Sequence, residues 1–172
     1  AWGGRVGSDQ QLFSPVTARL GASASAGGRV GPIGLKGDLF MVRGYDIDTA
    51  DQVIDLKSDL SDLDDFKPAF GGRLSASYGP ATLTYSVMAN SMSYDRWLLM
   101  QALEVSIVGI PEVPVLEDLE LNFGVLRVDV GAGWTPGYYH FANYLELKYK
   151  PLEWLWFRYR AGMKTTDNRK GV

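Results

Sequence analysis

The sequence predicts an all-β fold, an antiparallel up-and-down transmembrane β-barrel of about eight strands, on three observations. Apolar and polar residues alternate with period two along most of the 172 residues, and helical periodicity is nearly absent. The alternating runs are each roughly 10–14 residues long, against a mean of about 5–6 in soluble proteins, and a tilted strand needs about 9–11 to cross a bilayer. Connections between runs alternate in length, short at one end and longer at the other, which is the layout of a meander closed on itself.

Taken in order, residues 17–30 place Ala18, Leu20, Ala22, Ala24 and Ala26 on one face and Thr17, Arg19, Gly21, Ser23 and Ser25 on the other. Residues 33–46 are the least regular: Leu35, Leu39 and Met41 oppose Lys36 and Asp38, but Phe40 and Val42 break the alternation. Residues 67–78 alternate Gly72, Leu74, Ala76 and Tyr78 with Arg73, Ser75 and Ser77. Residues 80–92 set Ala81, Leu83, Tyr85, Val87 and Ala89 against Thr82, Thr84, Ser86, Met88 and Asn90. In 97–110, Leu99, Leu103, Val105 and Ile107 oppose Met100, Ala102, Glu104 and Ser106. In 115–130 the phase slips: after Leu119, Leu121, Phe123 and Val125, the apolar set becomes Leu126, Val128 and Val130, with Arg127 and Asp129 as the polar set. One extra residue would do this, so a β-bulge is expected near Val125. Residues 138–150 set Phe141, Leu145, Leu147 and Tyr149 against His140, Ala142, Tyr144, Glu146 and Lys148. Residues 153–165 set Leu155, Phe157, Tyr159, Ala161 and Met163 against Trp156, Arg158, Arg160, Gly162 and Lys164. The short turns at 30–32, 79–80, 111–114 and 151–153 all carry proline, which fixes φ and cannot donate to a ladder. The whole of 1–172 reads as a single domain with one long acidic loop at 47–66.

Which face points outward decides the class. The apolar face is nearly free of charge, and the polar face is rich in Ser, Thr and Gly. Aromatic residues gather near strand ends, Trp97, Trp134 and Tyr138 toward the long loops and Tyr149 and Trp154 toward the turns, as the two girdles of a membrane barrel do. No helix is available to cover a sheet, and closure satisfies every backbone group in lipid. A soluble lipocalin-like binder would reverse the faces. With the polar face inward, the lumen receives Arg19, Lys36, Asp38, Arg73, Glu104, Glu120, Arg127, Asp129, His140, Glu146, Lys148, Arg158 and Arg160. An eight-stranded interior is only wide enough for side chains, so these charges are expected to pair. A wider barrel would hold water and pass small polar solutes.

Composition excludes other classes. No Cys and a single His leave no zinc finger, thiol enzyme or disulfide scaffold; the carboxylates of the acidic loop could bind Ca²⁺ but lack the Gly and Glu of an EF-hand and read as a solvated face, so no metal site or cofactor is expected. A net charge of −3, from 17 Lys+Arg and 20 Asp+Glu, argues against nucleic acid. The stretch Gly27-Gly28-Arg29-Val30-Gly31 lacks the Lys-Ser/Thr pair of a phosphate loop. In the acidic loop, Val53, Leu56, Leu60 and Leu63 fall at helical spacing behind Asp51, so a short amphipathic helix is expected in it.

The layout over about residues 17–165 resembles that of small bacterial outer-membrane barrels of the OmpA/OmpX type, in plan rather than in any motif. The resemblance implies a Gram-negative outer membrane, the lipid bilayer as partner, and other envelope proteins reached through loop 47–66. Such chains usually end in an aromatic residue, whereas this one ends Asp167-Asn168-Arg169-Lys170-Gly171-Val172. Eight strands beginning at Thr17 also put both termini on the long-loop side rather than the turn side. Three readings meet this: a strand within 1–16, a segment of a larger barrel, or an inverted loop assignment. His140-Phe141-Ala142-Asn143 resembles the His-x-Ser-Asn stretch of outer-membrane lipid A deacylases, but Ala142 stands where the nucleophile belongs. Without that hydroxyl there is nothing for His140 to activate, so no catalytic residue and no enzyme is expected. The expected role is a structural anchor or partner-binding scaffold.

Overall fold

A computed structural model describes residues 21–43, 46–48, 55–57, 68–91, 96–109, 116–132, 135–152 and 154–168. Among them the strands are β1 (Gly21–Val30), β2 (Ile33–Arg43), β3 (Asp46–Asp48), β4 (Asp55–Lys57), β5 (Pro68–Tyr78), β6 (Ala81–Ser91), β7 (Arg96–Val108), β8 (Leu119–Ala132), β9 (Thr135–Leu152) and β10 (Leu155–Asn168). Eight of them form one sheet in the order β1-β2-β5-β6-β7-β8-β9-β10, each antiparallel to its neighbours. The sheet is an up-and-down meander whose edges, among the described residues, are β1 and β10.

Two of the proline turns are built alike. Val30 pairs with Ile33 and Tyr78 with Ala81, so Gly31-Pro32 and Gly79-Pro80 are two-residue hairpin loops. The glycine takes positive φ in each, 60° at Gly31 and 51° at Gly79, and the proline then supplies the negative φ that follows. At the β9–β10 hairpin the turn lies later than expected. Pro151 and Leu152 remain in β9, and Leu152 pairs with Leu155.

The period-two faces of the sequence are the two faces of the sheet. One, the apolar face, carries Leu39, Phe70, Leu74, Leu83, Leu103, Phe123, Leu145, Phe157, Tyr159 and Met163, all exposed. Burial is on the other, ionic face: Ala69, Met88, Leu98, Met100, Val128, Val130 and Ala142, with Asn90, Ser106, Asn122 and Glu146. Asp129 is the exception, buried on the apolar side. A water-soluble sheet would bury the large apolar side chains instead.

No β-bulge occurs at Val125. The register runs unbroken through Leu103↔Val125↔Asn143, and the irregularity in β8 falls later, between Val130 and Gly131. The phase slip has another cause. The long-loop half of the ionic face is itself apolar, and Val128 and Val130 lie in that patch beside Met100 and Leu98. Arg127 and Asp129 therefore do not join the charges of the ionic face, as the sequence led us to expect. They alternate onto the apolar face, where Arg127 Nε and Nη2 donate to Asp129 Oδ2 and Oδ1 at 2.7 and 2.8 Å. The expected helix around Leu56 is also absent. Asp46–Asp48 and Asp55–Lys57 pair as a hairpin with Ile47 opposite Leu56. The remaining residues of that loop, Val53, Leu60 and Leu63 included, lie outside the described residues.

Phe40, which broke the alternation, lies against Gly71 on the neighbouring strand. A Cβ on Gly71 would meet the Phe40 ring and also the Val87 carbonyl oxygen at 2.6 Å, whereas one on Gly37 would meet nothing within 4 Å. Gly71→Ala is thus expected to destabilise the fold by about 1–3 kcal/mol, through backbone that cannot step aside. Gly37→Ala should be neutral or stabilise by up to about 1 kcal/mol. Paired urea titrations of the two variants measure the difference.

Candidate functional site: an ionic ladder on one face of the sheet

The turn half of the ionic face carries the charges that the alternation placed there. Adjacent strands β8, β9 and β10 bring Glu120 opposite Lys148, and Lys148 opposite Arg158. One step along, Asn122, Glu146 and Arg160 share the next row. Because these residues stand i and i+2 on one face, their ends converge. Lys148 Nζ lies 3.1 Å from Glu120 Oε1 and 3.1 Å from Glu146 Oε1. Arg158 donates through Nε to Glu146 Oε2 at 2.8 Å, with Nη2 closing the pair. Arg160 Nη1 stands 3.7 Å from the same oxygen. The ladder extends inward through neutral groups. Asn122 Nδ2 donates to Glu120 at 2.8 Å, and Ser106 Oγ donates to Asn122 Oδ1 at 2.7 Å.

An aromatic support holds this cluster in shape. The guanidinium of Arg160 lies over the Tyr144 ring, 4.6 Å from its centroid. Tyr144 in turn lies against Gly124 directly across from it, where any side chain would strike the ring. Arg160 is thus held from one side by a cation–π contact and from the other by a carboxylate. The glycine is what leaves room for the ring.

A second, smaller cluster sits toward the other flank. Arg73 Nε donates to Asp38 Oδ2 at 3.0 Å, Lys36 Nζ lies 3.5 Å from Oδ1, and Ser25 Oγ donates to Oδ1 from β1. Between the clusters, β5 and β6 contribute the Ser75–Thr84 hydroxyl pair at 3.0 Å, and β7 contributes Glu104. The carboxylates are the enclosed partners and the cations the open ones: Glu146 is 7% exposed, against 39% for Arg158 and 33% for Lys148. Such a face offers guanidinium and ammonium donors outward from the sheet over a floor of fixed negative charge.

Of the residues the sequence assigned to this face, Lys36, Asp38, Arg73, Glu104, Glu120, Glu146, Lys148, Arg158 and Arg160 stand on it. Arg127 and Asp129 do not. Arg19 lies outside the described residues, and of His140 only the backbone is described, paired with Val128 and Thr166. Among the interface aromatics, Trp97 opens β7 while Tyr149 and Trp154 lie at the opposite end, by the β9–β10 turn. Trp134, and the side chain of Tyr138, lie outside the described residues. The sequence reading missed Ser106, Asn122 and Tyr144 as members of the site. Parity alone put them on this face, but their roles need the register between strands. Comparison with protein-family models, with curated proteins and with solved structures finds no match to this chain.

Proposed function

We propose that this chain is the wall of a membrane-spanning β-barrel in a bacterial outer membrane, a structural anchor and partner-binding scaffold rather than an enzyme. One observation carries the reading: large apolar side chains are exposed along most of one sheet face while the charged side chains, Arg127 and Asp129 apart, are gathered on the other, where burial is greatest. Exposed apolar area on that scale is costly in water and favourable against lipid tails. Strand dimensions support it. The stripe from Ile107 to Leu99 on β7 is about 27 Å long at about 3.4 Å per residue. Tilted by about 40°, it stands about 21 Å high, close to the ~25 Å apolar band of outer-membrane barrels. The scaffold reading over a channel is supported by the buried patch of Met88, Leu98, Met100, Val128 and Val130, which caps the ionic half of the face with close-packed apolar side chains. The acidic loop 47–66 is the surface offered to other envelope proteins.

A second reading, a channel for small polar solutes, is favoured by a different observation. Every described ion pair joins residues on the same or adjacent strands, so the charges run along a wall instead of bridging a filled core. A barrel with further strands beyond β1 and β10 would leave that wall facing water. The test is extraction and reconstitution. The protein should partition into membranes, need detergent to stay soluble, and shift in gel mobility on heating. Full solubility without detergent ends the membrane reading. In a planar bilayer the scaffold gives no current, and a steady conductance from pure protein selects the channel.

A further inference from the structure

On the membrane reading just given, one place on the apolar face does not suit hydrocarbon. Four side chains from three adjacent strands join there into a polar island. Tyr85 on β6 donates through Oη to Gln101 Oε1 on β7 at 2.9 Å. Gln101 stands directly opposite Arg127 on β8. Arg127 reaches along its own strand to Asp129, with Nε donating to Oδ2 at 2.7 Å and Nη2 to Oδ1 at 2.8 Å. On the same face the island is flanked by Val87, Leu99, Leu103, Val125 and, across from Arg127 on β9, Phe141. Ionic and amide groups set among apolar side chains and facing lipid are costly unless something outside the sheet satisfies them.

What the island offers decides what can satisfy it. Its acceptors are already taken or covered. The Gln101 carbonyl oxygen accepts the tyrosine hydroxyl, and the Asp129 side chain is 9% exposed behind the guanidinium. Its donors face out. The Arg127 side chain is 59% exposed. The Gln101 amide is oriented by Tyr85, and its Nε2 has no hydrogen-bond partner among the described residues. Residues directly opposite on neighbouring strands hold their Cβ atoms about 5 Å apart, so both donors can reach one acceptor. A protein surface of mixed polarity would need acceptors as well as donors on offer. A cation beside an amide donor, with no acceptor presented, fits an anion that carries several oxygens.

The level of the island on the strands says where such an anion comes from. Arg127 lies one row short of the last apolar row, that of Met41, Phe70, Ala89 and Leu99. Beyond that row this face continues with Ser91 on β6 and Trp97 on β7. One row is about 6.8 Å of strand, or about 5 Å of height at a tilt of about 40°. Asp129 stands in the Leu99 row, so it draws the guanidinium toward the long-loop end, within a side chain's reach of the headgroups. We propose that the island binds the phosphate of a lipid headgroup, in the leaflet at the long-loop end, between the Arg127 guanidinium and the Gln101 amide. Asp129 fixes the guanidinium in place, and the lipid's acyl chains lie along the apolar stripe below.

The test counts retained lipid by native mass spectrometry, on the protein purified in a maltoside detergent and titrated with dioleoyl phosphatidic acid. The protein should keep one phosphatidic acid, and dioleoylglycerol, which lacks only the phosphate, should not compete for it. Arg127→Leu/Asp129→Leu should weaken retention by about tenfold or more. That double variant removes both charges together, so it leaves no ion unpaired and suits the apolar side chains around it. Gln101→Leu keeps the ion pair, should weaken retention several-fold, and carries the test if the double variant fails to fold. Equal retention by the parent and the variants, or equal competition by the glyceride, overturns the proposal and leaves the membrane reading intact. Displacement by inorganic phosphate at the same concentration assigns the site to the free anion and overturns the lipid. A dimer that the double variant abolishes puts a second copy on the island instead. Solubility without detergent ends the membrane reading and the proposal with it.

Discussion

Leu103→Arg is expected to destabilise the folded protein by about 2–4 kcal/mol in phospholipid vesicles, and Tyr78→Arg by about 1 kcal/mol or less. Both side chains are exposed, Leu103 at 42% and Tyr78 at 64%. They differ in position along the stripe. Leu103 sits at its middle on β7, and Tyr78 beside the Gly79-Pro80 turn at its end. Facing water, both substitutions would fall within about 0.5 kcal/mol, because an exposed Leu or Tyr gives up little when replaced by a charge. Facing lipid, the cost follows depth. The long Arg side chain at the end of the stripe can reach headgroups, and the one at the middle cannot. Phe123→Arg, whose row lies next to that of Leu103, should match it. Urea titrations from vesicles, read by tryptophan fluorescence, give the three values. Three near-zero results would leave the face without lipid.

The strands and their faces were legible in the sequence because the signal behind them is local. Each strand alternates by itself, and the Gly-Pro turns between β1 and β2 and between β5 and β6 need no other part of the chain. What could not be read is what depends on partners several strands apart. The run Leu126–Val130 looked like a slip because β8 has apolar residues on both faces there. Only the register shows Val128 and Val130 completing a patch whose other members, Met88, Leu98 and Met100, come from β6 and β7. Phe40 looked like an error in its strand for the same reason, since the glycine that receives it is on β5. The charges of the candidate site were assigned to a face by parity, which is strong for Lys148 or Arg158 and failed for Arg127 and Asp129 through the misread slip. Parity is silent on which cation meets which carboxylate. The helical spacing of Val53, Leu56, Leu60 and Leu63 was the weakest signal, four residues in an acidic stretch, and the Ile47–Leu56 strand pair overrides it.

Glu146→Gln is expected to cost about 3 kcal/mol, the low end of the loss for breaking an enclosed ion pair. The carboxylate is the junction of the ladder, taking Lys148 at 3.1 Å, Arg158 through two nitrogens and Arg160 at 3.7 Å. An amide of the same shape keeps the packing and removes the charge, which isolates the electrostatic part. Lys148 retains Glu120 at 3.1 Å, so the loss falls mainly on the two arginines. They are 39% and 20% exposed, and solvent reaching them holds the cost near the bottom of the range. The double variant Glu146→Gln/Arg158→Gln should recover part of the loss, with a coupling of about 1–3 kcal/mol in a double-mutant cycle. The same variant separates the two functional readings. In a sealed scaffold it lowers stability and produces no current. In a water-filled barrel it adds one uncompensated positive charge to the wall and moves ion selectivity toward anions. If Glu146→Gln changes neither stability nor selectivity, the ladder is bathed on all sides by bulk water, where such pairs contribute little, and the face that carries it is not the inside of anything.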